Sequence, residues 1–333
     1  MARVFLTHSP EMLRNYYGER AIASLSEFAD VIINPTGRVL DAEALTQHAQ
    51  GCEIVISDRQ TPGFAAFFER APDLVAFLRC AVDIRNVALE TASREGILVT
   101  RATPGFAASV AELGMGFMID LARHVSTSVG AYRGGTEPLV RVGRQLAGAS
   151  VGLIGFGLIA QHLARLARAF GMTVLATDPY KAINEPGVQA ATFEEVLARS
   201  DFVVCLAVAT DETENLVDGA ALARMKPTAF FINLSRGNLV DEAALASALD
   251  EGRIAGAAMD VGRAADQMPS PGLACRPDVI ATPHIGGLTP ESIEHQAFAT
   301  VAQARDLLAG LNPDSALNLA YATRLTRLSR CAG

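Results

Sequence analysis

Positive charge is scarce in this chain. Its 333 residues include 28 lysines and arginines against 36 aspartates and glutamates, which gives a formal net charge of −8. Proteins that bind nucleic acids present a basic surface, so we expect no nucleic-acid partner. The acidic balance favours a soluble protein that binds small molecules.

Closely spaced pairs of cysteines are also absent. The chain has five cysteines, an odd number, and no two of them form a C-x-x-C motif. Neither a disulfide framework nor a zinc site is therefore expected, and we predict no metal. Reduced thiols fit a cytoplasmic protein. The cysteines are Cys52, Cys80, Cys205, Cys275 and Cys331.

Long apolar runs are missing too. The opening residues, MARVFLTHSP, contain too short an apolar run for a signal peptide, and no later run is long enough to span a bilayer. The sequence therefore predicts no membrane association.

Short apolar runs alternate with helical stretches, which is typical of an α/β protein with parallel sheets. The length predicts two domains, and 50% hydrophobic composition is ample for two cores. A nearly all-apolar segment, FAASVAELGMGFMIDLARHV, follows the break at 103–105 and predicts a buried helix. The first five predicted strands span 3–7, 31–34, 53–57, 76–79 and 97–101.

A second series of six strands follows a polar, glycine-bearing stretch and suits a doubly wound nucleotide-binding sheet. Thr289-Pro290-Glu291 then predicts the start of a last helix, with proline at its first position. The six predicted strands span 150–155, 173–178, 202–208, 229–234, 254–259 and 279–282.

The strongest local motif is VGLIGFGLIA, in which Gly155, Gly157 and Ala160 fill a G-x-G-x-x-A pattern between a strand and an amphipathic helix. The first glycine permits a tight turn, the second admits a pyrophosphate, and the alanine allows close packing. The helix N-terminus offers amide donors to phosphate. The predicted contacts are Gly155, Phe156, Gly157, Leu158 and Ile159.

The second strand of this series ends at Asp178, near the expected distance from the glycine motif. Its carboxylate would accept hydrogen bonds from the adenosine ribose and repel a 2′-phosphate. The following Pro179-Tyr180 supplies no arginine, so NAD is favoured over NADP, with Tyr180 beside the cofactor.

A G-x-S-x-G match at 148–152 raises the possibility of a hydrolase, because Asp260 and His284 follow Ser150 in the hydrolase order. A nucleophile elbow, however, lies after a strand and before a helix. Ser150 instead begins a strand, so we reject this interpretation.

Three polar residues lie at the carboxyl ends of strands beside this nucleotide motif, namely Arg236, Asp260 and His284. In a parallel sheet these ends face the ligand crevice. The alternative is that Arg236 is a structural ion-pair partner and His284 a turn residue.

The blocks GLIGFGLIA, INLSRGNLVDEAAL, GAAMDV and ATPHIGGLTPES resemble the signatures of the D-isomer-specific 2-hydroxyacid dehydrogenases. The resemblance covers nearly the whole chain. It implies two Rossmann-like or flavodoxin-like doubly wound domains with a cleft between them. Residues 1–102 with 287–333 would form the substrate domain and 103–286 an inserted NAD-binding domain. Members are usually homodimers.

The family roles fall on matching residues. Arg236 would clamp a 2-oxo or 2-hydroxy acid substrate, His284 would exchange the proton, and Asp260 would hold the nicotinamide carboxamide. Gly286 would leave room near the nicotinamide. Four more residues would line the cofactor: Leu206, Ala207, Leu234 and Ser235.

One departure concerns the histidine. In the family, a glutamate five residues after the aspartate orients the histidine and raises its pKa; here that position is Ala265. Asp266 could reach in instead, or the enzyme could work without a carboxylate, as formate dehydrogenase does with glutamine. The third possibility is an NAD(H)-binding sensor or corepressor-like protein with little turnover.

The second departure lies in RCAVDIRNV, which resembles the family segment R-A-G-x-G-x-D-N, whose backbone amides bind the substrate carboxylate. Ala81 and Asp83 replace the glycines, and Arg85 replaces the aspartate. A carboxylate on Asp83 disfavours an anionic substrate unless Arg85, Arg79 or Arg59 offsets its charge. Alternatively, Asp83 points away and only its amide is used.

Overall fold

The computed structural model describes residues 1–330, so Cys331 lies outside the described residues. The chain divides into two compact units. The first comprises Met1–Gly105 and the described residues from Pro290 onward, and the second comprises Phe106–Thr289. Each unit has its own parallel sheet and its own buried core.

The first unit contains a five-stranded parallel sheet in the order β2-β1-β3-β4-β5, which is the flavodoxin-like order. All five predicted strands are present: β1 (Arg3–Leu6), β2 (Asp30–Ile33), β3 (Ile54–Ser57), β4 (Ala76–Arg79) and β5 (Leu98–Arg101). The helices, numbered along the whole chain, are α1 (Pro10–Tyr16), α2 (Glu19–Ser26), α3 (Ala42–His48), α4 (Ala65–Arg70), α5 (Leu89–Arg94) and α13 (Pro290–Leu308). Two short 3-10 helices follow α13, Leu319–Tyr321 and Thr323–Arg330.

The second unit contains a seven-stranded parallel sheet in the order β12-β11-β10-β9-β6-β7-β8. Its strands are β6 (Ser150–Ile154), β7 (Thr173–Thr177), β8 (Val188–Ala190), β9 (Phe202–Cys205), β10 (Phe230–Asn233), β11 (Gly256–Met259) and β12 (Val279–Ala281). Its helices are α6 (Ala107–Arg123), α7 (Val125–Arg133), α8 (Leu158–Ala169), α9 (Phe193–Arg199), α10 (Gly219–Ala223), α11 (Glu242–Asp250) and α12 (Pro271–Ala274).

The prediction of two parallel α/β sheets is confirmed, with one strand more than expected. The additional strand is β8, at the sheet edge, whose three residues are exposed or half-buried. It lacks the apolar run from which the other strands were predicted, because an edge strand needs little buried surface. The predicted all-apolar helix is α6, which is buried along one side and packs on α8. Within residues 1–330, no helix has both the length and the apolar character needed to cross a bilayer.

The carboxyl end of the first unit's sheet holds an unusual group of buried polar side chains. The Arg79 guanidinium donates to the Ser57 hydroxyl and to main-chain carbonyls of Asp58, Arg59, Thr61 and Asp83. These bonds hold two loops together, which accounts for an arginine that is almost fully buried.

His8, just after β1, is fully buried, and neither of its ring nitrogens has a hydrogen-bond partner among the described residues. Its ring lies 4.9 Å from that of Tyr17. Burial disfavours the charged imidazolium and lowers the pKa of His8 from 6.5 to about 4.

We expect His8 to make the folded state sensitive to acid. Between pH 6.5 and about 4 the unfolded chain binds a proton that the folded chain does not, so stability falls as the pH is lowered through this window, by on the order of 2–3 kcal/mol. In His8→Phe this loss should largely disappear, whereas His48→Gln, at a partly exposed site, should keep it. Urea unfolding at several pH values measures the effect. Equal pH dependence in wild type and His8→Phe would contradict the assignment.

Candidate nucleotide-binding and catalytic site

The turn after β6 can be made only by glycine. Gly155 has a φ of 88°, and a Cβ atom there would lie 2.8 Å from both the nitrogen and the Cα of Ala207. Both the left-handed conformation and the close approach therefore require glycine. The turn brings the start of α8 beside the residues that follow β9, Leu206 and Ala207.

The N-terminus of α8 fits a phosphate group. Gly157 is the N-cap and makes no side-chain cap, and a Cβ atom built on it would meet nothing within 4 Å. The first amides of the helix, from Leu158 and Ile159 onward, have no intrahelical acceptor and lie at the positive end of the dipole. Ala160 is fully buried, which permits close packing of the helix on the sheet. These features suit a dinucleotide pyrophosphate.

The Asp178 carboxylate is held by two main-chain amides. Oδ2 accepts from Phe156 N at 2.8 Å, and Oδ1 accepts from Tyr180 N at 2.9 Å. Each oxygen keeps acceptor capacity for a ribose hydroxyl. Phe156 contributes only its main chain, because its side chain is buried in the core.

A second carboxylate lies near this position and was missed in the sequence. The exposed Tyr180 hydroxyl donates to Glu212 Oε2 at 3.0 Å, and this bond raises the pKa of Tyr180. Lys181 Nζ donates to the Phe156 carbonyl at 3.2 Å. The acidic run DETEN after β9 was the only available signal for Glu212.

The turn that presents Arg236 is organised by Asn233, which sequence reasoning also missed. This buried side chain at the end of β10 donates to the Arg236 carbonyl at 2.9 Å and accepts from Ser235 N at 3.1 Å. The Ser235 hydroxyl donates to the Ala207 carbonyl. Leu234 points its side chain into the core beside Gly114, so only its main chain can face a cofactor.

The main chain after Arg236 is packed tightly against the loop after β11. A Cβ atom on Gly237 would lie 2.0 Å from the carbonyl carbon of Gly262, and one on Gly262 would lie 2.5 Å from Pro269 Cα. Neither glycine can be replaced without moving backbone. The two loops therefore form one packed body.

Asp260, buried at the end of β11, holds the turn that carries His284. Its Oδ1 accepts from the Thr282 hydroxyl (2.6 Å) and Ile285 N (2.8 Å), and its Oδ2 accepts from Gly286 N (2.7 Å). Three of its acceptor sites are thus used within the protein, and the bond to a nicotinamide carboxamide stays a prediction.

Gly286 is explained by the same carboxylate. That it leaves room near the nicotinamide stays a prediction; in the structure a Cβ atom there would lie 2.8 Å from Asp260 Oδ2 and 3.3 Å from Val110. The glycine is therefore needed so that its amide can approach Asp260.

His284 contacts Asp266 through the main chain. His284 Nδ1 lies 2.8 Å from the Asp266 carbonyl oxygen, and His284 itself has a φ of 55°. This contact is made by the main-chain carbonyl of Asp266, and the suggestion that its side chain replaces the missing glutamate stays a prediction.

In the first unit, Asp83 is neutralised by its neighbour. Arg85 Nη2 lies 2.6 Å from Asp83 Oδ2, and Arg85 Nε donates to both carboxylate oxygens. Arg85 thus offsets the negative charge of Asp83, which the sequence indicated would disfavour an anionic substrate. Among residues 1–330, no cluster of three or more histidine, cysteine, aspartate or glutamate side chains could hold a metal ion.

Several known proteins are similar to this chain. Residues 115–286 match the family described as D-isomer specific 2-hydroxyacid dehydrogenase, NAD binding domain. An (S)-sulfolactate dehydrogenase of Chromohalobacter salexigens is 33% identical over 305 residues, covering 90% of this chain and 98% of that protein. A D-3-phosphoglycerate dehydrogenase of Methanocaldococcus jannaschii is 32% identical over 306 residues, covering 90% of this chain and 58% of that protein.

The chain spans about half the length of the phosphoglycerate dehydrogenases that it matches, between 44% and 58%. Among solved structures, the TT0316 protein from Thermus thermophilus is 29% identical with a TM-score of 0.84, covering 95% of this chain and 99% of that one.

We expect Asp260→Asn to destabilise the second unit by roughly 1.5–3 kcal/mol, since an amide offers one acceptor oxygen where two are used. Asp241→Asn is the matched control: Asp241 caps α11 by accepting from Ala244 N, and asparagine caps helices equally well. Urea unfolding of both variants measures the difference. Equal stability of the two would show that Asp260 does not hold the His284 turn.

Proposed function

This chain belongs to the D-isomer-specific 2-hydroxyacid dehydrogenase family, and we propose that it is an NAD-dependent oxidoreductase transferring hydride between NAD(H) and a 2-hydroxy or 2-oxo acid. One observation carries the proposal. The loop at 262–268 contacts both the turn that carries Arg236, through Gly237, and the ring of His284. The glycine turn after β6, which fits a dinucleotide, lies in the same unit.

Arg236 is the substrate anchor in this proposal. Its guanidinium presents a fixed fork of donors that suits the carboxylate and carbonyl oxygens of a 2-oxo acid, and its charge offsets that of the anion. Its Nη1 also donates to the Ser235 carbonyl at 2.7 Å, which limits the freedom of the side chain.

His284 is the proton donor and acceptor. NADH would supply the hydride that adds to C2 of the oxo acid. As the carbonyl oxygen gains negative charge, His284 Nε2 gives it a proton and the ring becomes neutral. Oxidation of the hydroxy acid reverses these transfers, with the neutral ring taking the hydroxyl proton.

NAD is the proposed cofactor, in preference to NADP. Asp178 would accept the ribose hydroxyls, and its charge together with that of Glu212 would repel a 2′-phosphate. Lys181, the cation next to Tyr180 in the sequence, donates to the Phe156 carbonyl. Residues 103–286 would form the NAD-binding domain, and 1–102 with 287–333 the substrate domain.

The comparisons do not support the alternative of a non-catalytic NAD(H) sensor, since the named relatives are enzymes. Free Cys52, Cys80, Cys205 and Cys275 are consistent with the proposal of a cytoplasmic location.

We expect purified protein to oxidise NADH with at least one 2-oxo acid among glyoxylate, hydroxypyruvate, 3-sulfopyruvate and phenylpyruvate, and to use NADPH less well. His284→Gln should lower kcat by about 10²–10⁴-fold, because it cannot donate the proton. Arg236→Lys should lower kcat/KM, because the fork is lost. Initial rates measure both effects.

The variants His48→Gln, at a partly exposed site, and Arg224→Lys, at an exposed one, are the matched controls and should keep wild-type rates. Full activity in His284→Gln would contradict the proposed proton transfer.

We also propose that the protein is a homodimer joined through α7 and the segment that follows it. Helix α7 has nine residues and no buried side chain, although so short a helix is marginal without packing. The segment after it returns to α6, where Arg144 N donates to the Ala122 carbonyl at 2.9 Å. Helix α7 and the segment after it expose six apolar side chains: Val125 (47%), Val129 (40%), Tyr132 (69%), Leu139 (74%), Val140 (97%) and Val142 (99%).

Ile119 on α6 is exposed as well, and large exposed apolar patches on soluble proteins mark protein–protein interfaces. The partner would be a second copy of the chain in a closed two-fold arrangement, the commonest form of a homo-oligomer.

We expect the double variant Val140→Asp/Val142→Asp to be monomeric at micromolar concentration, because two buried carboxylates would face the partner at each copy. Val39→Asp, at an exposed site elsewhere, should remain dimeric like the wild type. Light scattering coupled to size exclusion reports the mass. A monomeric wild type, or a dimeric double variant, would contradict the proposal.

A further inference from the structure

The His284 ring is oriented by an uncharged group. A carbonyl oxygen can only accept, so the contact at 2.8 Å between His284 Nδ1 and the Asp266 carbonyl places a hydrogen on Nδ1. In the neutral ring the bare nitrogen is then Nε2, which is the nitrogen that must exchange a proton with substrate.

The direction of that carbonyl depends on an uncommon backbone conformation. Asp266 (φ 54°) and Gln267 (φ 61°) are consecutive non-glycine residues in the left-handed region. Each costs on the order of 1 kcal/mol or more and persists only where the surroundings hold it. Aspartate tolerates this region better than most residues, whereas glutamine has no such preference.

Gln267 is the residue that is held. Its carbonyl accepts from Gly262 N at 2.8 Å, and its side-chain Oε1 accepts from Gly237 N at 3.4 Å. Gly237 follows Arg236 directly and has no room for a side chain, because Gly262 lies against it. Gln267 therefore ties the carbonyl that contacts His284 to the turn that presents Arg236.

We propose that Gln267 is a positioning residue: by holding the left-handed pair 266–267 against Gly237, it aims the Asp266 carbonyl at His284 Nδ1, and this carbonyl does the orienting work of the glutamate missing at position 265. The inference deepens the proposed function, on which it rests for its catalytic meaning. A neutral acceptor fixes the ring and its tautomer, and it stabilises the imidazolium less than a carboxylate does.

The test reads the tautomer directly. The protein is labelled with ¹⁵N-histidine, the His284 signals are identified by their loss in His284→Gln, and long-range ¹H–¹⁵N spectra are recorded at a pH where the ring is neutral. The wild type should show hydrogen on Nδ1 and a bare Nε2. A wild type with hydrogen on Nε2 would overturn the proposal.

Two variants of Gln267 separate positioning from simple packing. Gln267→Ala should shift the ring toward a mixture of tautomers and lower kcat roughly tenfold or more with little change in KM. Gln267→Glu keeps an acceptor for Gly237 N and should restore both. Gln145→Ala, at an exposed glutamine, is the control and should match the wild type. A wild-type tautomer in Gln267→Ala would overturn the role of Gln267.

Asp266→Asn tests the carbonyl against the carboxylate. Asparagine also tolerates the left-handed region, so the main-chain carbonyl stays in place while the charge is lost. The His284 tautomer should remain that of the wild type. Loss of hydrogen from Nδ1 in this variant would show that the carboxylate is the partner. Because these spectra need no turnover, an inactive protein would count against the proposed function and leave the positioning test intact.

Discussion

The hydrogen bonds to the buried Asp260 carboxylate are the interactions on which the proposed catalytic site in the second unit depends. The carboxylate gathers the Thr282 hydroxyl and the amides of Ile285 and Gly286 onto two oxygens. His284 is held in the middle of this turn, with its own amide bound to the Asp260 carbonyl at 3.0 Å. A charged acceptor is needed because several donors converge at a buried point, where each unpaired amide would cost about 1–3 kcal/mol. The left-handed conformation of His284 is retained for the same reason.

Close main-chain packing also joins the loops after β10 and β11. Gly237 and Gly262 approach so closely that the turns after β10 and β11 pack without side chains between them. Gln267 and Asp266 then reach the His284 ring from this packed body. The proposed substrate anchor and the proposed proton donor are thus positioned by one set of main-chain contacts. A small displacement of the loop after β10, β11 or β12 would shift the other two, because tightly packed backbone has little room to relax.

The parts of the site that follow a repeating pattern could be predicted from sequence. Gly155, Gly157 and Asp178 stand at spacings set by a strand, a turn and a helix, and all three follow the carboxyl ends of the neighbouring strands β6 and β7. Asn233, Glu212 and Gln267 could not be found in this way, because no repeating spacing marks them. Asn233 bonds to the turn beside it, Glu212 accepts from the Tyr180 hydroxyl, and Gln267 accepts from the distant Gly237 N. The orienting group for His284 is a main-chain carbonyl, which every residue has, so no residue type signals it. The alanine at position 265 indicates that the expected carboxylate is missing, but only the loop conformation shows that the Asp266 carbonyl lies beside the His284 ring.

The stereochemistry of the product tests the account most directly. Reduction of hydroxypyruvate or phenylpyruvate with NADH, followed by chiral chromatography of the hydroxy acid, reports how Arg236 and His284 present the carbonyl to the cofactor. The account predicts one molecule of the D-configured hydroxy acid for each NADH consumed. The L-configured acid, a racemic product, or NADH consumption without a hydroxy acid would contradict it.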